Sequence, residues 1–342
     1  MNLLRRNHEL ELVVSFDKIV TRRQWTDLKH DETEKINDTN KHAGQYKLFL
    51  SDLLAFAMAR PYMPDRARAI VVVVAGASPG QHWTKLIPIL LASNMRKHIT
   101  FELYDSEELC SDMQTFAQDN TFVNFHKQLF TAETAQEIKR AYKNSYIVFL
   151  SDIRSPIHER EGHNAEDETL IQDNMRLQAE AVAIMLPAYS CLKFHAPHAT
   201  KGHEMPFPPF KYLHGVLCLQ AYTYNLSAEL RLHVTPDDIT PEKLAEQQWY
   251  DPVMIEEYAF SHNTQRRPYT HTDERFDEVV WRAAVLELDV NLDNIEMQRL
   301  NITRYLHRHG THDEHHLHGK HHAPYDMLHN LLSRMLVSQA RS

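Results

Sequence analysis

The chain has 342 residues, 43% of them hydrophobic and 24% charged, with 37 Lys+Arg against 46 Asp+Glu for a net charge of −9. This is globular composition, enough for one large domain or two small ones. It excludes a uniformly basic nucleic-acid binder but not a local basic groove.

The N-terminal residues 1–40 are polar and mixed in charge and read as an arm. Their start lacks a signal-peptide core, and no apolar run is long enough to span a bilayer. A soluble, cytoplasmic protein with no membrane partner is therefore expected. The three scattered cysteines, Cys110, Cys191 and Cys218, form neither a zinc pattern nor a disulfide framework, which fits a reducing compartment.

From Gly44 to Ala59 the residues Tyr46, Phe49, Leu50, Leu53, Leu54 and Phe56 recur at helical spacing. Ala69 to Gly76 is a β-branched run without polar alternation, the pattern of a strand buried on both faces of a parallel sheet. A glycine loop, Gly76-Ala77-Ser78-Pro79-Gly80, leads into a helical pattern through Leu91. Further strands are expected at Ile99–Asp105, from Thr121, and at Ser145–Asp152. A long helix over 167–186 is stopped by Pro187. Strands at Ser190–Phe194, Val216–Tyr222 and Glu229–Val234 follow with little helix between them, so an antiparallel hairpin is expected to close the sheet. Beyond Pro236 the chain reads as mostly helical, with helices at Phe276–Leu288, Ile295–Leu306 and Tyr325–Val337. Strand–helix alternation of this kind predicts a doubly wound α/β sheet with helices on both faces.

Two groups of residues point to chemistry. The first is the glycine loop after the first strand. Gly76 and Gly80 let the backbone approach a ligand closely, but their spacing is not the dinucleotide fingerprint, and Pro79 removes an amide that would cradle a pyrophosphate. A nucleoside without phosphates fits better. Asp105, at the end of the next strand, can accept ribose hydroxyl protons, and together they favour S-adenosylmethionine over NAD. The second group is Lys47, Asp152, Lys193 and Glu229, ionisable residues in apolar elements. Taken singly, each is an ordinary edge charge or ion pair. Gathered in one cleft they would satisfy one another. A lysine crowded by another cation has a lowered pKa and suits a general base.

The segments Gly44-Gln-Tyr-Lys-Leu-Phe-Leu, Gly76-Ala-Ser-Pro-Gly-Gln-His, Ser151-Asp-Ile-Arg-Ser, Ser190-Cys-Leu-Lys-Phe and Ser227-Ala-Glu-Leu-Arg-Leu occur in this order. They resemble the poxvirus-type cap-specific mRNA 2′-O-methyltransferases, which also act as the small, processivity subunit of a viral poly(A) polymerase. The wider group is the FtsJ-like RNA 2′-O-methyltransferases. The resemblance covers roughly residues 40–265. It implies a Rossmann-like methyltransferase domain at 41–265 and a catalytic tetrad of Lys47, Asp152, Lys193 and Glu229, with Lys193 as base. It places the cofactor against Gln45, Gly76, Ala77, Ser78, Gly80, His82, Asp105, Phe130 and Asp152. Arg154 and Arg231 would face the RNA, and Glu256 would read the cap. His198 and Thr200 stand where the family has a stacking phenylalanine and an acid; Trp25 and Tyr46 are other rings a cap could use. The implied partners are capped RNA and a poly(A) polymerase catalytic subunit; a host cytoplasm or virion would be the setting. No metal is needed for this chemistry. Methylation of internal ribosomal or transfer RNA, and an RNA-gripping processivity role, are the competing readings.

Residues 266–342 read as a helical C-terminal extension. Within it lies a histidine-rich segment, 307–322; its irregular spacing and lack of cysteine make it a solvated loop rather than a metal site.

Overall fold

The computed structural model describes residues 44–65, 67–95, 98–154, 165–197, 208–223, 227, 229–263, 272–290, 302 and 306. The 1–40 arm, His198, Thr200, the helix expected from Tyr325 and the histidine-rich segment lie outside them.

Four valines between an isoleucine and an alanine make β1, Ile70–Ala75, and all six residues are buried. Val72 and Val74 face one core, Val71 and Val73 the other. Parallel strands β2 (Ile99–Asp105) and β4 (Tyr146–Ser151) flank it, with Val72 opposite both Phe101 and Val148. A strand paired on both edges and covered on both faces has no use for polar alternation. Outward from these, β3 (Val123–Lys127) pairs parallel with β2 and β5 (Tyr189–His195) parallel with β4. The expected antiparallel closure is present. β8 (Glu229–Val234) runs antiparallel to β5, and β7 (Val216–Cys218) antiparallel to β8. The sheet order is β3-β2-β1-β4-β5-β8-β7, a mostly parallel, Rossmann-like arrangement.

The helices are α1 (Gly44–Ala59), α2 (Trp83–Ala92), α3 (Ser111–Asp119), α4 (Ala132–Ala141), α5 (Ala165–Met185), α6 (Pro241–Glu246), α7 (Pro252–Ser261) and α8 (Thr272–Leu288). Side chains of α1, α2, α3 and α8 share one core with the sheet, and those of α4, α5 and α7 share the other. Helix α1 is apolar on nearly every side, and a helix of that kind must be covered on every side. It packs against β5 and against α8. The Tyr46 hydroxyl donates to Asp277 at 2.6 Å, and the Phe49 ring lies 5.6 Å from that of Trp281. The expected C-terminal extension, at least through Leu288, thus completes the core around α1. Asp273 and Glu274 in the first turn of α8 suit the positive end of its dipole and start the helix earlier than its apolar spacing suggests.

Two further differences are local. The run expected as strand to Tyr222 stops pairing at Cys218, opposite Arg231. A separate two-stranded ribbon, β6 (Phe210–Tyr212) with β9 (Gln248–Tyr250), interrupts the region read as helical. Three residues per strand are too few for periodicity to register.

If α8 closes the core, Trp281→Ala should cost about 3 kcal/mol or more of unfolding free energy in urea. Leu286→Ala, at a position 74% exposed on the same helix, should change it by under about 0.5 kcal/mol.

Candidate active site

The strand order reverses between β1 and β4, and in open α/β sheets the crevice outside the carboxyl ends at such a point is where ligands bind. Gly76, just past β1, has φ +83°, and its N–H donates to the Tyr104 carbonyl at 3.0 Å. A Cβ at this position would lie 2.6 Å from the carbonyl carbon and oxygen of Asp152. Only glycine allows the loop to pass so close to the end of β4. Gly80 also has positive φ, +73°, and the Ser78–Pro79 peptide between them is cis. Ala77 is buried, its N–H bonded to the Tyr104 carbonyl. Asp105 fastens the loop to β2: Oδ2 accepts from the Ser78 N–H at 2.8 Å and Oδ1 from the Glu107 N–H at 2.9 Å. Each oxygen retains a second lone pair, so a diol can still donate to this carboxylate.

Gln45 and His82, expected to share a ligand, touch each other. Gln45 Oε1 accepts from the His82 backbone N–H at 3.2 Å and lies 3.1 Å from ring Nδ1. His82 Nε2 is 3.0 Å from Asp52 Oδ2, a residue the sequence reading passed over. The signal was available: Asp52 is the only acid in α1 and stands seven residues, two turns, beyond Gln45.

Lys47, Asp152, Lys193 and Glu229 come together. Glu229 Oε1 accepts from Lys47 Nζ at 2.9 Å; Oε2 lies 3.0 Å from Lys193 Nζ and 3.0 Å from an Arg154 guanidinium nitrogen. Lys193 Nζ also reaches Asp152 Oδ1 at 3.3 Å. Arg231 was expected to face RNA, but it is 4% exposed. Its guanidinium donates to Asp152 at 2.8 Å, to the Ser151 carbonyl at 3.0 Å, to Gln220 at 2.9 Å and to Glu229 at 3.3 Å. Its place on β8, opposite Lys193 on β5, turns it inward, where buried Glu229 and partly buried Asp152 need a counter-charge. Gln220 is the other residue missed; its amide donates to the Glu229 carboxylate at 3.0 Å. Arg154 keeps the open position, its side chain 66% exposed.

Four cations thus share two carboxylates. Burial pushes the Asp152 and Glu229 carboxyls up. Lys193 outweighs this with Arg231 at Asp152 and with Lys47 at Glu229, holding both below the usual carboxylate range. The Lys193 ammonium is shifted down, by burial first and by Arg154 and Lys47 in addition, against the pull of the two acids. Lys47 thus acts in the expected direction, behind burial and Arg154. The result is a partly accessible amine, 12% exposed, that gives up its proton more readily than an ordinary lysine.

Two expected ligand contacts, Phe130 and Glu256, and the alternative ring Tyr46 are buried. Phe130 is 6% exposed, stacked on Phe149 at 5.4 Å and edge-on to Tyr104, so its ring is a core member rather than an open face. Glu256, on α7, is 2% exposed, where cap reading needs a carboxylate open to the ligand. Tyr46 is fully buried under α8 and offers no ring to a cap. Among the described residues no group of three or more His, Cys, Asp or Glu is arranged to hold a metal, and no helix is long and apolar enough to cross a membrane.

At a Rossmann-like switch point the structure thus sets a glycine loop against a buried lysine–carboxylate cluster. The family model for the poly(A) polymerase regulatory subunit matches residues 13–274, and the chain belongs to that family. No curated protein matches it significantly.

Arg231→Met should remove roughly 3 kcal/mol of stability, because it strips a counter-charge from buried Glu229 and partly buried Asp152. Groups whose folded pKa is depressed stabilise the fold above their unfolded value, near 4, and lose that contribution as pH falls. In the variant both carboxyls move up, so its acid-unfolding midpoint, followed by circular dichroism, should shift to higher pH.

Proposed function

We propose that this chain transfers the methyl group of S-adenosylmethionine to a ribose 2′-hydroxyl, that of the first transcribed nucleotide of capped mRNA. The observation that carries the reading is the convergence of Lys47, Asp152, Lys193 and Glu229 on one partly open amine beside the Gly76–Gly80 loop. The loop fits a nucleoside donor. It has no amide at Pro79 for a pyrophosphate, and Asp105 offers a carboxylate for a ribose diol. When bound, S-adenosylmethionine supplies a methyl group already activated by its sulfonium.

The protein's task is then to position the acceptor and remove one proton. Neutral Lys193 Nζ accepts the 2′-hydroxyl proton as the oxygen forms its bond to the methyl carbon and the carbon–sulfur bond breaks. Asp152 and Glu229 hold the resulting ammonium, and Lys47 and Arg231 keep those carboxylates charged and in place. Exposed Arg154 is the group left to meet an RNA phosphate. Membership of the poly(A) polymerase regulatory subunit family supports a second role, as the partner of a polymerase catalytic subunit. Arg154 serves an RNA grip in either role.

Labelled methyl transfer to cap-0 RNA and to its uncapped twin tests the reading. Transfer confined to the capped RNA is expected; equal transfer to both would favour internal sites, and none to either would leave the polymerase role alone. Lys193→Met should lower turnover at least a thousandfold, the upper part of the range for a general base, with S-adenosylhomocysteine affinity nearly unchanged. Because only the neutral amine accepts a proton, wild-type kcat/KM should rise with pH and level off below the ordinary lysine value. A profile flat from pH 6 to 10 would remove Lys193 as base.

A further inference from the structure

The ribbon of β6 and β9 takes no part in the site described above, and its two faces differ in character. Phe210 and Tyr212 lie two apart on β6, and Phe210 stands opposite Tyr250 of β9, so the three share a face. This face is fastened to the body of the protein. Phe210, Tyr212 and Tyr250 pack on Phe194 of β5, with ring centroids 6.1, 5.8 and 5.1 Å away. The Tyr212 hydroxyl donates to the Met175 carbonyl at 2.9 Å, and the Tyr250 hydroxyl to the Leu213 carbonyl at 2.8 Å. Lys211 and Trp249 stand opposite each other on the outer face. Trp249 is 63% exposed, and Lys211 Nζ sits over its ring, 5.2 Å from the centroid.

At that exposure the indole adds little to the core; the ribbon's hold on β5 comes from the other face. What the outer pair offers is a surface chemistry. An indole is a platform on which any base can stack, and an ammonium beside it answers a phosphate, the combination used by sequence-tolerant binders of single strands. The nearest carboxylate in the chain is engaged elsewhere: Asp251 accepts from the N–H groups of Val253 and Met254 at the start of α7. A protein contact centred on a tryptophan surrounds it with groups that exclude water. Here the side chain directly across is an exposed cation.

The position also fits. Phe194, on which the ribbon rests, directly follows Lys193. Successive side chains of a strand point to opposite faces, so the ribbon and the amine stand on opposite sides of β5. A strand with its reacting nucleotide at Lys193 meets Trp249 only with a nucleotide further along, past the end of β5.

We propose that the Lys211–Trp249 face of the ribbon is a contact for single-stranded RNA outside the crevice, with Trp249 stacking on one base and Lys211 pairing with a neighbouring phosphate. This rests on the reading of the chain as one that holds RNA, and it adds a second point of hold to Arg154. Stacking on an open indole is indifferent to base identity and to the cap, so the contact serves the body of the strand rather than its end.

The test uses the full chain and an uncapped, fluorescein-labelled oligoadenylate, followed by anisotropy. Trp249→Ala should weaken binding about tenfold, within the range for losing one stacked base, and Trp249→Phe, which keeps a ring, less than about threefold. Lys211→Ala should reduce the slope of log affinity against log salt by roughly 0.7, the value for one phosphate contact on a single strand. Both positions are exposed, so urea midpoints should stay close to the wild type. RNA should also quench tryptophan emission in the wild type, and less so in Trp249→Ala. Unchanged RNA affinity in Trp249→Ala overturns the proposal and leaves the face to a protein partner; a loss in Trp249→Phe as large as in Trp249→Ala removes the stacking. A wild type that binds no oligoadenylate overturns the proposal together with the RNA reading. Failure of methyl transfer alone, with Trp249-dependent binding intact, removes the donor reading and leaves the ribbon contact standing.

Discussion

Two carboxylates below the surface, Asp152 at the end of β4 and Glu229 at the start of β8, set the terms for everything around them. An ionised carboxylate taken out of water costs several kcal/mol unless cations and donors replace its hydration. Here the replacements arrive from different parts of the chain: Lys47 from α1, Arg154 from the segment after β4, Lys193 from β5 and Arg231 from β8 itself. Each is anchored by an element that must hold its place for the charges to balance. The cluster therefore ties the reversed strand β8 to the parallel half of the sheet and to the helix above it. The same balance leaves Lys193 poised to lose a proton, because burial acts against its charge while the acids only partly restore it.

Much of this was legible from residue order. The β-branched run of β1 announced a strand covered on both faces, and alternating strands and helices announced a doubly wound sheet. Four charges in apolar segments read singly as edge charges or ion pairs, and only their order in the chain suggested that they meet and satisfy one another. The glycine loop after β1 followed from the same logic: a turn with Gly76 and Gly80 marks a place where the backbone approaches something closely.

What escaped the sequence did so for nameable reasons. Arg231 and Glu229 lie two apart on β8 and so share a face. The spacing says nothing about whether that face meets RNA or a buried acid; only the register opposite Lys193 decides it. Phe130 follows β3 in a position suited to a ligand, but an aromatic there can turn into the core, and the neighbouring Phe149 and Tyr104 draw it in. The ribbon of β6 and β9 joins segments nearly forty residues apart, a pairing no local window contains. The role of α8 was hidden for the converse reason. The largely apolar surface of α1 needs cover, but its sequence does not say which of several later helices supplies it.

The closeness of Gly76 to the Asp152 backbone has a meaning beyond turn geometry. With the room a side chain would need already taken by that backbone, the Gly76 loop and the end of β4 that carries Asp152 are in direct contact. A displacement at the loop is therefore handed directly to the charged cluster around Asp152. Change is left to the rim, where the Arg154 side chain is 66% exposed though still paired with Glu229.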